Sequence, residues 1–232
     1  MRVLGLLGGM SWESSIEYER EINQIARKAL GGTNSADLII RSFNFAEIEQ
    51  LQASGNWSEA GELLAKAAND LERLGAEAIV LCTNTMHVLA EQIEAAISVP
   101  FIHIADATGV EIQRQGLKKV LLLGTKYTME KAFYKDRLVE KFNVEVLAPS
   151  QDQRDEIHRI IYQELVQGQI NSKSKDFYLQ VIDQYSKLGV EGVIAGCTEI
   201  ELLVTPDDVD MPYFPTTSLH SKAAAAFALS AD

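Results

Sequence analysis

Cysteine is scarce in this 232-residue chain, which has two, Cys82 and Cys197, and no CxxC motif. Two cysteines are too few for a disulfide framework, and together with four scattered histidines they give no zinc-binding spacing. Basic charge is also short, because 21 Lys and Arg face 33 Asp and Glu for a net charge of −12. Nucleic acids and anionic membranes bind basic patches, so we expect neither as a partner. An anionic small molecule could still be held by local donors such as helix N-termini.

Long apolar runs are missing as well. No stretch approaches the roughly 20 apolar residues of a membrane span. The opening MRVLGLLGGM is too short and too glycine-rich for a signal peptide, so a cytoplasmic location is predicted. The turn Gly8-Gly9-Met10 lacks the full GxGxxG spacing of a dinucleotide site. We expect these glycines to let the backbone approach a small ligand closely, with Thr125 in a similar role further along the chain.

Short apolar segments alternate with helical patterns along the whole chain, which predicts an α/β fold with largely parallel sheets. The predicted strands are Val3–Leu7, Leu38–Phe43, Ala78–Cys82, Phe101–His103, Val120–Leu123, Val144–Leu147 and Val193–Ala195. The predicted helices are Ser14–Leu30, Glu59–Leu74, Val88–Ala96, Met129–Lys141, Gln151–Gln167 and Asp176–Lys187.

An internal repeat is the most informative feature of the sequence. Residues 4–18 (LGLLGGMSWESSIEY) align with residues 120–134 (VLLLGTKYTMEKAFY), and residues 74–85 (LGAEAIVLCTNT) align with residues 188–199 (LGVEGVIAGCTE). Each pair is a strand–turn–helix unit, and the pairs recur in the same order at nearly equal offsets. The alternative is that βα units in general look alike.

Duplication predicts two similar Rossmann-like lobes with parallel sheets, related by a pseudo-twofold axis. We place the first lobe at residues 1–98 plus 209–232 and the second at residues 99–208. Equivalent strand ends would then face a common cleft, where α/β folds place their ligands. The repeat also aligns Cys82 with Gly196 and Cys197 with Thr83, so the two cysteines are not counterparts.

Cys197 follows an apolar strand and precedes a predicted helix. Free backbone N–H groups at such a position can lower the pKa of a thiol. Thr198 and Glu201 fit a capping box, which favours a helix that starts directly after Cys197. We therefore interpret Cys197 as functional, although a lone cysteine is more often a small buried hydrophobe. Cys82 closes an apolar run and is predicted to pack in the core.

Thr83, Asn84 and Thr85 form the equivalent turn of the first half. By composition they could be an N-cap cluster, but hydroxyls and an amide at a helix start also suit a bound carboxylate. His87, four residues beyond Thr83, could lie on the same helix face, either as a donor behind the site or as an ordinary helix residue.

Several motifs together resemble the aspartate/glutamate racemase family over essentially the whole chain: GLLGGMSWESS, VLCTNTMH, HIADATG, LLLGTKYTME, IHRIIYQEL and GCTEIELLV. The sequence most resembles the bacterial branch described as L-aspartate/glutamate-specific racemases. The resemblance implies a two-lobed α/β fold with the active site between the lobes and a homodimer. It also implies an isomerase that uses no pyridoxal phosphate, no other cofactor and no metal.

Typical members carry a cysteine in each of two motifs, CNT and GCT, that act on opposite faces of the substrate's α-carbon. Here the second motif is intact at Cys197, whereas Thr83 stands in place of the other cysteine. The resemblance therefore implies Cys197 and Thr83 as catalytic residues. Because a threonine hydroxyl is a very poor general base near pH 7, we expect slow turnover with a strong bias toward the L-enantiomer as starting material. By the same resemblance, the substrate contacts are expected from Met10, Gln52, Thr83, Asn84, Thr85, Thr125 and Thr198, with Tyr127 and Glu199 as wall residues.

Two other functions remain open at this stage. A related decarboxylase or isomerase could operate with one cysteine, and a non-catalytic protein could bind acidic amino acids with the same fold. No lysine stands at Gln167-Gly168-Gln169, where related enzymes often contribute one to the distal carboxylate. The choice between aspartate, glutamate and a broader substrate range is therefore open.

Overall fold

The computed structural model describes residues 1–230. Its strands are β1 Leu4–Gly8, β2 Leu38–Ser42, β3 Ala78–Leu81, β4 Phe101–Ile102, β5 Lys119–Gly124, β6 Glu145–Leu147, β7 Gly192–Gly196 and β8 Tyr213–Pro215. Its helices are α1 Trp12–Leu30, α2 Phe45–Ala53, α3 Trp57–Arg73, α4 Ala90–Glu94, α5 Ile104–Arg114, α6 Lys126–Glu130, α7 Ala132–Phe142, α8 Gln151–Gln163, α9 Ser172–Ser186, α10 Ile200–Leu203 and α11 Thr216–Leu229. Short 3-10 turns cover Thr85–Leu89, Leu165–Gln167 and Pro206–Asp208.

The strands form two four-stranded parallel sheets with the same order, β2-β1-β3-β4 and β6-β5-β7-β8. This confirms the predicted α/β class with parallel sheets. The chain divides into one compact unit of Met1–Ile104 with the segment from His220, and a second unit of Ala105–Leu219. The sequence places these boundaries at 98/99 and 208/209.

The strand registers support the internal repeat. In the first sheet Leu4 pairs with Ala78, and in the second Val120 pairs with Gly192. These are the residues that the repeat aligns, Leu4 with Val120 and Ala78 with Gly192. Following the register to the strand ends makes Cys82 equivalent to Gly196 and Thr83 equivalent to Cys197, as the sequence alignment predicts.

Helix α1 shows how local sequence sets the elements around the sheets. Ser11 caps its N-terminus by accepting a hydrogen bond from the Ser14 N–H, and Gly31 follows its end with a positive φ. Its buried residues recur every four positions, so one face packs inward: Ser14, Tyr18, Ile22 and Ala26.

Both faces of the central strands β1 and β3 of the first sheet are covered, which explains why these strands read as continuous apolar runs. In β3, Ile79 and Leu81 join one apolar cluster, whereas Ala78, Val80 and the following Cys82 join the other. In β7, Val193 and Ala195 lie in the core of the second unit, and Cys197 packs against the same cluster. The alternation of a strand therefore brings the Cys197 side chain to this face.

The predicted helix and strand ends are mostly close to those observed, but several elements were missed. These are α2, α5, α11 and β8. Segment 129–141 divides into α6 and α7 because the backbone is extended at Lys131. Segment 88–96 forms the end of a 3-10 turn and the short α4, and α8 ends at Gln163, well before the predicted Gln167.

None of the helices in the described part of the chain is long and apolar enough to cross a membrane. Within the same residues, no group of three or more His, Cys, Asp or Glu side chains could hold a metal ion.

Candidate active site

Cys82 is a core residue. It is fully buried among apolar residues, and its thiol lies 3.8 Å from the carbonyl oxygen of Val80. Burial raises the pKa of the Cys82 thiol, so it stays protonated. The prediction that Cys82 packs in the core is confirmed.

Cys197 occupies a different environment at the end of β7. The residue is half-buried, and its Sγ donates a hydrogen bond to Oε2 of Glu199 at 2.9 Å. The Glu199 residue is 8% exposed, so this carboxylate is held largely away from water. A thiol and a carboxylate in contact form a pair that can exchange a proton.

The expected lowering of the Cys197 pKa is wrong. Burial raises the pKa of this thiol well above its ordinary value, and the negative charge of Glu199 and its hydrogen bond to the thiol act in the same direction. The backbone N–H of Glu199 opposes these effects without overcoming them. Helix α10 has only four residues, so its dipole contributes little.

The predicted capping box is also absent. The N-cap of α10 is Glu199, with no side-chain cap, and the helix begins at Ile200 instead of directly after Cys197. The Thr198 hydroxyl lies 2.9 Å from that of Thr217 at the start of α11. Thr217 was missed because nothing in the linear sequence connects it with the GCT turn.

Thr83, Asn84 and Thr85 follow β3, where the chain enters a 3-10 turn instead of an α-helix. Thr83 is half-buried, and Asn84 and Thr85 are each 6% exposed. Asn84 occupies the N-cap position of the turn without making a side-chain cap bond, so an N-cap role does not explain it.

His87 makes hydrogen bonds that hold this turn in place. The Ile104 N–H donates to His87 Nε2 at 3.2 Å, so Nε2 accepts and the proton is on Nδ1. Nδ1 lies 2.7 Å from the Thr83 carbonyl oxygen, to which it donates. Of the two roles that the sequence left open for His87, the donor behind the site is the one that the geometry favours.

His220 belongs to the same buried group of rings, 5.6 Å from His87 between ring centroids. Its Nε2 lies 2.6 Å from the Ile102 carbonyl oxygen and its Nδ1 lies 2.8 Å from the Tyr18 hydroxyl. Nε2–H must donate to the carbonyl, so Nδ1 accepts from Tyr18 and the imidazole is neutral. Burial lowers the pKa of His220 to about 4, although the hydrogen bond to Ile102 acts in the opposite direction.

This buried imidazole should make the first unit sensitive to acid. An unfolded chain binds a proton at His220 near pH 6.5, and the folded one only near pH 4. The free energy of unfolding therefore keeps its full value above the pKa of His220 in the unfolded chain. It falls by up to about 3 kcal/mol as the pH drops towards the pKa of His220 in the folded chain. We expect the free energy of unfolding by urea to fall more between pH 7 and pH 4.5 in the wild type than in His220→Gln. An equal fall in both proteins would show that His220 does not titrate in this way.

The Gly8-Gly9 turn is explained by packing within the first unit. Gly9 has a φ of +83°, and a Cβ there would lie 2.3 Å from the carbonyl oxygen of Phe43. A Cβ on Gly8 would lie 2.6 Å from the hydroxyl oxygen of Ser15. These contacts account for both glycines without the ligand that the sequence interpretation invoked.

The remaining predicted contact residues are placed in two groups. In the first unit, Met10 is buried in the core cluster beside β1, and the Gln52 amide on α2 donates to the Met86 sulfur at 2.9 Å. In the second unit, Thr125 caps α6 by accepting from the Thr128 N–H at 3.3 Å. Tyr127 is half-buried in the first turn of α6, with its ring edge-on to His158 at 5.8 Å.

Fold and site together define an α/β protein of two similarly ordered parallel sheets, with a thiol–carboxylate pair after the third strand of the second sheet. Residues 7–224 match the family model described as Asp/Glu/Hydantoin racemase. The chain belongs to this family.

A candidate Asp/Glu racemase from Yersinia pestis is similar in structure, at 53% identity and a TM-score of 0.94, covering 99% of this chain and 100% of the other. An aspartate racemase homologue from Pyrococcus horikoshii OT3 is 35% identical with a TM-score of 0.86 over the same shares. The Picrophilus torridus aspartate racemase is 17% identical with a TM-score of 0.77. The match covers 98% of this chain and 94% of the other, and it shows that the two share a fold.

Among curated proteins, the chain is similar to the broad specificity amino-acid racemase RacX of Bacillus subtilis (strain 168). Identity is 29% over 133 residues, which is 57% of this chain. The matched region spans 58% of the length of RacX.

Proposed function

We propose that this protein is an amino-acid racemase that interconverts the L- and D-forms of aspartate or glutamate by proton transfer at the α-carbon, without pyridoxal phosphate. The observation that carries the proposal is the half-buried Cys197 thiol in contact with the Glu199 carboxylate at the end of β7. Family membership and the likeness to Asp/Glu racemase structures support the choice of substrate class.

Inverting a carbon centre requires proton removal on one face and proton delivery on the other, which one group cannot easily do alone. We assign removal of the α-proton from the L-substrate to Cys197. The opposite face is assigned to Thr83, or to a water that Thr83 holds. The register-matched position of Thr83 at the end of β3 supports this assignment.

A threonine hydroxyl is a very poor general base near neutral pH, because it titrates far above that range. It can still deliver or relay a proton to a carbanion. We therefore expect a higher maximal rate and faster α-hydrogen exchange from the L-substrate, where the thiol removes the proton, than from the D-substrate. Because the equilibrium constant of racemisation is one, kcat/KM must be equal in the two directions, so the difference in kcat is matched by one in KM. We propose this L-bias, a homodimeric assembly and a cytoplasmic location as parts of the same function.

The test is exchange of the α-hydrogen in heavy water. L-aspartate and L-glutamate are incubated separately with the protein, and deuterium at the α-carbon is followed by NMR while chiral chromatography follows the D-product. We expect exchange and D-product together from the L-substrate at saturation. With the D-enantiomer at saturation, exchange and the formation of L-product should both be slower. Loss of a carboxyl group without α-exchange would indicate a decarboxylase. Ligand binding without any exchange would indicate a binding protein, and either result would overturn the proposal.

A further inference from the structure

The Cys197 thiol is held by an acceptor that suppresses its ionisation. Its Sγ donates to the carboxylate of Glu199 at 2.9 Å, and this carboxylate is largely shielded from water. The thiolate is the reactive form of cysteine, so a thiol with a raised pKa supplies little of it near pH 7. A base at this position therefore needs a local acceptor for the thiol proton.

We propose that Glu199 accepts the thiol proton of Cys197, so that the base acting on the L-substrate is a Cys197–Glu199 pair and Glu199 is a catalytic residue instead of a wall residue. This inference deepens the proposed function and rests on it. The carboxylate that accepts the proton is in hydrogen-bond contact with the sulfur. The backbone N–H of Glu199 favours the thiolate form once the proton has moved.

The proton balance of the step is complete. The Sγ–H bond of Cys197 breaks and an O–H bond forms on Glu199, which leaves a thiolate and a neutral carboxylic acid. The thiolate then takes the α-proton, so the Cα–H bond breaks, a new Sγ–H bond forms and the electron pair stays on the α-carbon. A water on the opposite face protonates that carbon and becomes hydroxide, which the Glu199 proton neutralises through solvent. Thiol and carboxylate are thereby restored.

Two substitutions separate this role from a purely electrostatic one. Glu199→Gln keeps the size of the side chain and can still accept the thiol hydrogen bond, but cannot take the proton. Glu201→Gln is the matched control, because the charge of Glu201 also raises the pKa of the thiol and this residue lies two positions further along the chain. Each variant is assayed for α-hydrogen exchange from L-aspartate and L-glutamate. The alkylation of Cys197 by iodoacetamide is followed in parallel by peptide mass spectrometry.

We expect Glu199→Gln to lower the maximal exchange rate by about 10²-fold or more at neutral pH, with a smaller change in KM. Alkylation of its Cys197 should become faster, because the neighbouring negative charge has gone. The residual exchange should rise by about tenfold per pH unit below the pKa of the thiol, since solvent base must then ionise it. Glu201→Gln should remain close to the wild type in exchange.

The inference is overturned if the exchange rate of Glu199→Gln equals that of the wild type. It is also overturned if the exchange rate of this variant rises by the same factor as the alkylation rate of its Cys197. Either outcome means that the carboxylate only suppresses the thiolate. A loss that is the same at every pH and falls mainly on KM would indicate substrate binding and would also overturn it. If the wild type exchanges no α-hydrogen, the proposed function itself is wrong. If the wild type exchanges and Glu199→Gln exchanges equally fast, only this inference is wrong.

Discussion

Replacing Cys197 with alanine should reduce α-hydrogen exchange and racemisation by about 10³-fold or more, because the variant has no group at the end of β7 that can hold the α-proton. Glu199 alone cannot substitute, since the sulfur that its carboxylate contacts would be missing. Substrate affinity, measured by calorimetry with L-aspartate and L-glutamate, should change far less than the rate. The loss should therefore fall on kcat.

Cys82→Ala is the matched control for this prediction. It removes the other thiol of the chain from a fully buried core site, so thermal stability should fall while the exchange rate per folded molecule stays near the wild type. If Cys82→Ala lost exchange as completely as Cys197→Ala, the assignment of the catalytic thiol would be wrong. Exchange that survived in Cys197→Ala would contradict it equally.

Replacing Thr83 with cysteine should raise the maximal rate from the D-enantiomer by about 10²-fold or more, and so remove the L-bias that we propose. The variant places a thiol at the register-matched counterpart of Cys197, where a proton must be removed from the D-substrate. Both enantiomers of aspartate and glutamate are followed by chiral chromatography. For the wild type and the variant, we compare the ratio of the initial rates from the D- and L-forms at saturating substrate.

Thr83→Ser is the control here, because it retains a hydroxyl at the same position and should gain no turnover of the D-enantiomer. Both variants keep the Thr83 carbonyl, to which His87 donates, so the turn should stay fixed in each. If Thr83→Cys racemises the D-enantiomer no faster than the wild type does, the account of Thr83 as the second catalytic position is wrong.

Much of the fold was predictable because the sequence contains it twice. Apolar strand segments and the repeat lead to two parallel sheets of the same order, and the observed registers agree with the aligned residues. Strand β8 was missed because it spans only three residues, too few to show a hydrophobic period that can be recognised. The helix predicted after Cys197 exists as α10, but it is a single turn and begins later than the capping pattern predicts.

The sequence by itself determined that Cys82 and Cys197 are not a pair and that Thr83 is the counterpart of Cys197, because chain duplication preserves alignment. Tertiary structure alone decided the ionisation of the thiol. Sequence spacing suggested a helix dipole that would favour the thiolate, whereas the folded chain buries Cys197 against the carboxylate of Glu199 and raises its pKa. Burial and the direction of a side chain depend on packing between distant segments, and local sequence patterns do not contain that information.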